Sequence, residues 1–232
     1  MEKEYKTNLI KRSITATAII ASIILIILLQ NFWVFSIMIS LICILAFHEW
    51  IKNNFESRYY SGLSLIFLFW FSSIYFVFYF SSSLDSFPTP FKITFDTLSI
   101  YGIFLIIIFN TAIFDTFAYI IGSNFGKNFI TPKISPNKTL EGLVGGLMGS
   151  AIYSFIICYS YDLNYWLIPI FIIGGLCAFA GDLKISFHKR QSGIKDTGSL
   201  LPGHGGILDR LDSHLIATPV MLILTILLFP LL

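Results

Sequence analysis

A chain of 232 residues that is 56% hydrophobic and only 12% charged does not read as a soluble domain, in which about a quarter of residues carry charge. Its mean hydropathy of +0.79 puts it in the membrane class and removes the one- or two-domain soluble reading that length alone would allow. A formal net charge of +2 gives no ground for nucleic-acid binding, and Cys43, Cys158 and Cys177 each stand alone in an apolar run, as small buried hydrophobes rather than a zinc or redox set.

Apolar stretches run over 13–29, 32–50, 62–80, 98–121, 140–161, 165–183 and 214–232. Each approaches the ~20 residues that a helix needs to cross the hydrocarbon. Ile, Phe and Leu dominate without two-residue alternation, which argues against a β-barrel. The expected fold is therefore all-α: a polytopic integral membrane helix bundle of about seven transmembrane helices, with seven to nine allowed. The first stretch lacks a small-residue cleavage site and runs almost at once into the second, joined only by Gln30 and Asn31, so it reads as a span rather than a secretory signal.

Basic residues set the expected sidedness. Lys3, Lys6, Lys11 and Arg12 precede the first span, and Lys52 and Arg58 follow the second. Lys127, Lys133 and Lys138 follow the fourth, and Lys184, Lys189, Arg190, Lys195 and Arg210 separate the last two. With seven spans all of these fall on one side and Lys92 alone on the other. Basic loops stay in the cytoplasm, so the N-terminus is expected inside. The 81–97 connection carries no motif. His48 and Glu49, beside Trp50 at the end of the second span, read as interfacial anchors.

Polar residues inside a membrane chain are costly, and two clusters stand out, both on the basic side. The first begins with Asp115, about two turns inside the fourth span, with Tyr119 on the same helix face. A carboxylate at that depth needs a metal, water or a hydrogen-bonding neighbour; an ordinary interhelical hydrogen bond is the plain alternative. The loop that follows has Gly122, Gly126, Pro132 and Pro136 with three lysines, a composition that suits a polyphosphate but equally a simple positive-inside anchor. Ser135 to Thr139, with Glu141, can cap the fifth span. Gly142, Gly145, Gly146 and Gly149 form two small-xxx-small pairs and predict close helix packing.

The second cluster runs from Gly181 to His214 and holds Asp182, Asp196, Asp209 and Asp212 among five basic residues, with a Gly-His-Gly-Gly turn at 203–206. If the chain is helical from Ile207, Asp209 and Asp212 share a face. Two like charges side by side call for a cation, and hard oxygen donors point to Mg²⁺ rather than Zn²⁺. A solvated charged loop paired through Arg210 is the alternative. His204 is open to three readings: proton shuttle, phosphate donor or turn residue.

At these residues the sequence resembles the bacterial phosphatidate cytidylyltransferase (CDP-diacylglycerol synthase) family. The matching C-terminal pattern is Ser186, Lys189-Arg190, Lys195-Asp196, Leu201-Pro202, His204-Gly205-Gly206 and Asp209-Arg210-Leu211-Asp212. Gly181-Asp182-Leu183, the stretch from Ser135 to Gly142, and Asp115-Thr116-Phe117-Ala118-Tyr119 also fit. Ile185, His188, Phe117 and Leu140 depart from the family pattern; Ile185 replaces an acidic residue, so no metal role is assigned there.

The resemblance implies a reaction of CTP with phosphatidate that gives CDP-diacylglycerol and pyrophosphate, a step of phospholipid biosynthesis at the cytoplasmic face of a bacterial inner membrane. It implies Mg²⁺, with room for a second cation, on Asp182, Asp209 and Asp212. Asp115, Lys195 and His204 join these as catalytic candidates. Substrate contacts fall to Tyr119, Lys133, Ser135, Lys138, Thr139, Glu141, Ser186, Lys189, Arg190, Asp196, Gly205, Gly206 and Arg210. The chain divides into N-terminal transmembrane helices over 1–97 and a catalytic transmembrane region over 98–232 with cytoplasmic loops 122–139 and 184–213, forming one membrane domain; a homodimer is allowed. The rivals are a CTP-dependent lipid kinase and a cation-coupled transporter built around Asp115. A bare scaffold gives no reason for the clustered aspartates.

Overall fold

A computed structural model describes residues 29–55, 59–83, 99–201 and 205–228, with a few positions between 17 and 25. Its helices are α1 (Phe32–Lys52), α2 (Tyr59–Ser83), α3 (Ile100–Phe125), α4 (Leu140–Tyr161), α5 (Leu167–Gln191), the single turn α6 (Leu208–Leu211) and α7 (His214–Leu228). Among the described residues there is no strand, only isolated bridges between Phe129 and Thr139 and between Leu201 and Gly205. Helices α1 to α5 are long and apolar enough to cross a membrane, and α7 is a shorter apolar helix. The chain is thus a polytopic membrane helix bundle. Most of the first expected span, 13–29, lies outside the described residues.

Local chemistry sets the helix starts. Asn31 caps α1 by accepting hydrogen bonds from the Trp33 and Val34 N–H groups, Ser99 caps α3 through Gly102 N–H, and Thr139 caps α4 through Gly142 N–H. The ends run past the apolar stretches. Helix α3 continues to Phe125 and α5 to Gln191, so Lys184, Ser186, Lys189 and Arg190 are helical rather than part of the loop expected from 184. Intrahelical bonding continues through Gly122 in α3 and past the polar side chains at the end of α5, whereas hydropathy falls as soon as side chains turn polar.

Helix α3 is the centre of the bundle and packs most closely on α4. The glycines of α4 make that contact possible. A Cβ on Gly145 would lie 2.5 Å from Ile121, and one on Gly146 or Gly149 would lie 2.6 Å from Phe114 or Phe117. The expected close packing is therefore present, with aromatic rings seated on a glycine face. Helix α7 packs against α5 and α2, and α1 against α2. Polar links cross the bundle where lipid offers no partner: Trp70 Nε1 donates to Ser40 Oγ at 2.8 Å, Asn110 Nδ2 to the Phe171 carbonyl at 2.9 Å, and Tyr153 to the Ile106 carbonyl at 3.1 Å. Outward faces carry exposed Ile37, Leu41 and Ile44 on α1 and Phe67, Phe71 and Phe78 on α2, as lipid-facing surfaces should.

Candidate active site

The C-terminal ends of α3 and α5 and the N-terminal ends of α4 and α7 meet at one end of the bundle. Asp115 lies ten residues before the end of α3 and Asp182 nine before the end of α5, about 14–15 Å down from those ends at 1.5 Å per residue. Asp212 sits between α6 and α7. Gly181 brings it in: a Cβ there would lie 2.5 Å from the Asp212 carbonyl oxygen, so the absence of a side chain lets 212–213 lie against α5. Ser213 Oγ then donates to Asp115 Oδ2 at 3.1 Å, and Asp182 is within electrostatic reach of both Asp115 and Asp212.

Three carboxylates from three parts of the chain thus converge. Burial, and next the charge of Asp182, push the Asp212 carboxyl up to about 7. Lys138 partly offsets the cluster: its Nζ is 2.6 Å from Asp182 Oδ2 and 4.5 Å above the Phe179 ring centroid. Ser186 Oγ donates to the other Asp182 oxygen at 3.0 Å.

Asp209 has a different setting. Its Oδ1 accepts from Lys189 Nζ at 3.0 Å, and its Oδ2 accepts from the N–H groups of Thr197 at 2.8 Å and Gly206 at 3.0 Å. Burial works against its charge, but these donors outweigh burial and hold the carboxyl below the usual carboxylate range. The backbone is helical from Leu208 through Asp212, as the i, i+3 spacing requires, yet the charges acting on Asp212 are those of Asp182, Lys189 and Asp115. Lys189 links the two settings.

The other expected site residues are spread around this core. Thr139 is buried as the α4 cap. Glu141 reaches back to accept from Lys127 N–H, Asn128 N–H and Asn128 Nδ2, folding the 126–139 loop over the end of α3. Arg190 Nε donates to the Ile134 carbonyl at 3.3 Å and Nη1 to the Ile194 carbonyl at 3.4 Å, tying both loops to α5. Ser135 is half-buried in the same loop. Gly205 has φ of +83°, a left-handed conformation suited to glycine, and Gly206 is buried. Tyr119, Lys133, Lys195, Asp196 and Arg210 are exposed around the cluster's end of the bundle. His204 lies outside the described residues. No three His, Cys, Asp or Glu side chains among the described residues are already arranged as a metal-coordination set. The chemistry of the donors still fits a hard cation: the converging ligands are carboxylate and hydroxyl oxygens, and their mutual repulsion calls for positive charge.

Sequence reasoning missed Glu49. It is no interfacial anchor but 2% exposed, accepting from Thr197 Oγ1, Ile207 N–H and Leu208 N–H. His188, one of the departures from the family pattern, is buried against the Trp50 and Phe55 rings.

The sequence model of the cytidylyltransferase family matches residues 60–228, which takes in every converging aspartate. The chain belongs to this family. Among relatives, it is 47% identical over 115 residues to the phosphatidate cytidylyltransferase of Staphylococcus haemolyticus, 46% to that of Staphylococcus aureus and 49% to that of Staphylococcus saprophyticus. Each match covers 48% of this chain and 44% of the relative, so the chain spans less than half the length of the curated relatives it matches. As a cytidylyltransferase-family member with five helices among the described residues long and apolar enough to span a bilayer, it is an integral membrane protein.

Proposed function

We propose that this protein is a phosphatidate cytidylyltransferase that transfers CMP from CTP to phosphatidate at the cytoplasmic face of a bacterial inner membrane. The observation that carries the reading is the convergence of Asp115, Asp182 and Asp212 beside Lys138, within the stretch shared with the family. Both substrates are anionic, and a lipid phosphate is already ionised near neutral pH, so the site's task is charge compensation and alignment rather than proton abstraction.

Asp182 and Asp212 are the residues that would hold Mg²⁺, with Asp115 beside them, and Asp209 would join them through Oδ1 once Lys189 turns from it to a phosphate. When bound, the cation neutralises the triphosphate and orients pyrophosphate as the leaving group. The chain's own cations do the rest. Lys138 and Lys189, each paired with an aspartate here, are within reach of phosphate oxygens once those carboxylates take another cation. Lys133, Lys195 and Arg210 add positive potential at the mouth, which draws in a polyanionic nucleotide. Arg190 holds the two loops together over the site. The apolar outer faces keep acyl chains in lipid while the headgroup enters the recessed end, and the basic loops favour the cytoplasmic side.

The test is turnover by the purified protein in phosphatidate-containing mixed micelles with CTP and Mg²⁺. Pyrophosphate and CDP-diacylglycerol are the expected products. CDP with a phosphorylated lipid would make it a lipid kinase and overturn the reading, as would no CTP-dependent product.

A further inference from the structure

Glu49 is a carboxylate buried at the end of α1, a long way in sequence from any motif and outside the matched stretch 60–228. A buried charge is costly unless it is well hydrogen-bonded. Here Oε1 accepts from Ile207 N–H at 3.0 Å, and Oε2 accepts from Leu208 N–H at 2.9 Å and Thr197 Oγ1 at 3.0 Å. Every donor belongs to the segment that carries Asp209. One turn further on, Asn53 Nδ2 donates to the Thr197 carbonyl at 2.6 Å, so α1 grips Thr197 twice.

The segment is built to accept this side chain. A Cβ on Gly198 would lie 2.6 Å from Glu49 Oε1, and one on Gly206 would collide with both Glu49 Oε2 and Thr197 Oγ1. Two glycines therefore enclose the carboxylate. Thr197 and the 206–208 turn divide their donors between two acids: Thr197 N–H and Gly206 N–H go to Asp209, while Thr197 Oγ1, Ile207 N–H and Leu208 N–H go to Glu49.

We infer that Glu49 is a positioning residue for the nucleotidyl-transfer site: its carboxylate fixes Thr197 and the 206–208 turn, so that Asp209 is held on Lys189 and Asp212, four residues beyond the turn, is presented to Asp182. The inference rests on the proposed activity and extends it by giving the N-terminal helix a part in the site. Glu49 touches no substrate and acts through Thr197 and the turn. Glutamine is a poor replacement, because its NH₂ would face a backbone N–H where the native oxygen accepts one.

The full-length chain tests this with Glu49→Gln, Thr197→Val and, as the conservative control, Thr197→Ser. Steady-state kinetics with CTP are paired with hydrogen–deuterium exchange. Glu49→Gln is expected to lower kcat by about a hundredfold, as a roughly 1 Å misplacement can, with a much smaller change in the KM for CTP. Thr197→Val should lower kcat by about tenfold and Thr197→Ser should restore it, because a hydroxyl remains to donate. Exchange should accelerate in the 205–211 amides while those of α3 and α4 stay protected. If Glu49→Gln does not accumulate as folded protein, the Thr197 pair decides. Unchanged kcat in Glu49→Gln, or in the Thr197→Val variant, overturns the inference. So does acceleration of exchange spread equally over α3 and α4, which would make Glu49 a general scaffold residue. If the wild-type chain shows no CTP-dependent turnover but Glu49→Gln still accelerates exchange at 205–211 alone, the enzymatic reading falls and the anchor stands.

Discussion

Lys138 Nζ lies 2.6 Å from Asp182 Oδ2, joining the start of α4 to the interior of α5. The pair is sheltered, with side-chain exposures of 17% and 27%, so its electrostatics are less screened than those of a surface ion pair. In the proposed reaction the ammonium stands beside the acids that would hold the cation, where a phosphate oxygen would arrive. Lys138→Met is expected to lower kcat/KM for CTP by about ten- to a hundredfold, the worth of one charge-assisted hydrogen bond. Lys138→Arg should recover part of the loss. A CTP titration of the three proteins is the measurement, and equal values for Lys138→Met and wild type would remove Lys138 from the site.

Asp209 predicts a pH signature in stability. Its carboxyl is held below the usual range because the Gly206 and Thr197 N–H groups and Lys189 outweigh the burial that opposes its charge. A group depressed in the folded state stabilises fully above its unfolded value of about 4 and loses that contribution as pH falls through the folded value. Asp209→Asn should therefore be less stable by about 2–3 kcal/mol at pH 7, given several hydrogen bonds to a charged acceptor. The gap in melting temperature should hold down to about pH 5 and close below about pH 4. Thermal unfolding in detergent across that range is the check; a gap that widens on acidification would contradict the account.

The α3–α4 interface predicts a contrast between two faces of one helix. Gly149→Val places methyl groups where a Cβ alone would come within 2.6 Å of Phe117, and overpacking of this kind costs about 1–3 kcal/mol. Val144→Leu, on the exposed face of the same helix, should leave the melting temperature unchanged. Equal effects in the two variants would mean that the glycine face is not a packing surface.

What could be read from the sequence depended on range. The α4 glycines announced a close contact because small residues four apart have few other uses in a span, and ring packing on Gly146 and Gly149 bears that out. Asp182 and Asp212 stood out within one polar cluster because acids concentrated at the edge of apolar runs need a reason, whereas Asp115 stood in a separate cluster and its approach to them shows only in the fold. Glu49 was not legible. A lone glutamate beside a tryptophan at the end of a span looks the same whether it anchors at the interface or binds a turn, and its partners begin 148 residues further on. The ends of α3 and α5 were also hidden, because polar side chains on a continuing helix mimic a loop in a hydropathy profile.

Gly181 predicts a loss of activity without loss of fold. The start of α7 can lie against α5 only because residue 181 has no side chain: a Cβ would be 2.5 Å from the Asp212 carbonyl and 3.2 Å from that of Ser213. Both contacts are with backbone, which cannot swing away as a long side chain can. Gly181→Ala must therefore push 212–213 outward, and the Ser213–Asp115 hydrogen bond of 3.1 Å sits on the segment that moves. The remaining contacts of α5 and α7 lie further along the bundle and should hold. A shift of about 1 Å at a positioned group can cost around a hundredfold in rate. Gly181→Ala is expected to keep a melting temperature within a few degrees of wild type, as alanine favours the helix by about 1 kcal/mol and offsets part of the strain. Its kcat for CTP and phosphatidate should fall by about a hundredfold, with a higher Mg²⁺ requirement because Asp212 is drawn away from Asp182. Rate measured against Mg²⁺ concentration separates this from simple destabilisation. An alanine variant with wild-type rate and wild-type Mg²⁺ dependence would show that Asp212 need not lie against α5 for the reaction to proceed.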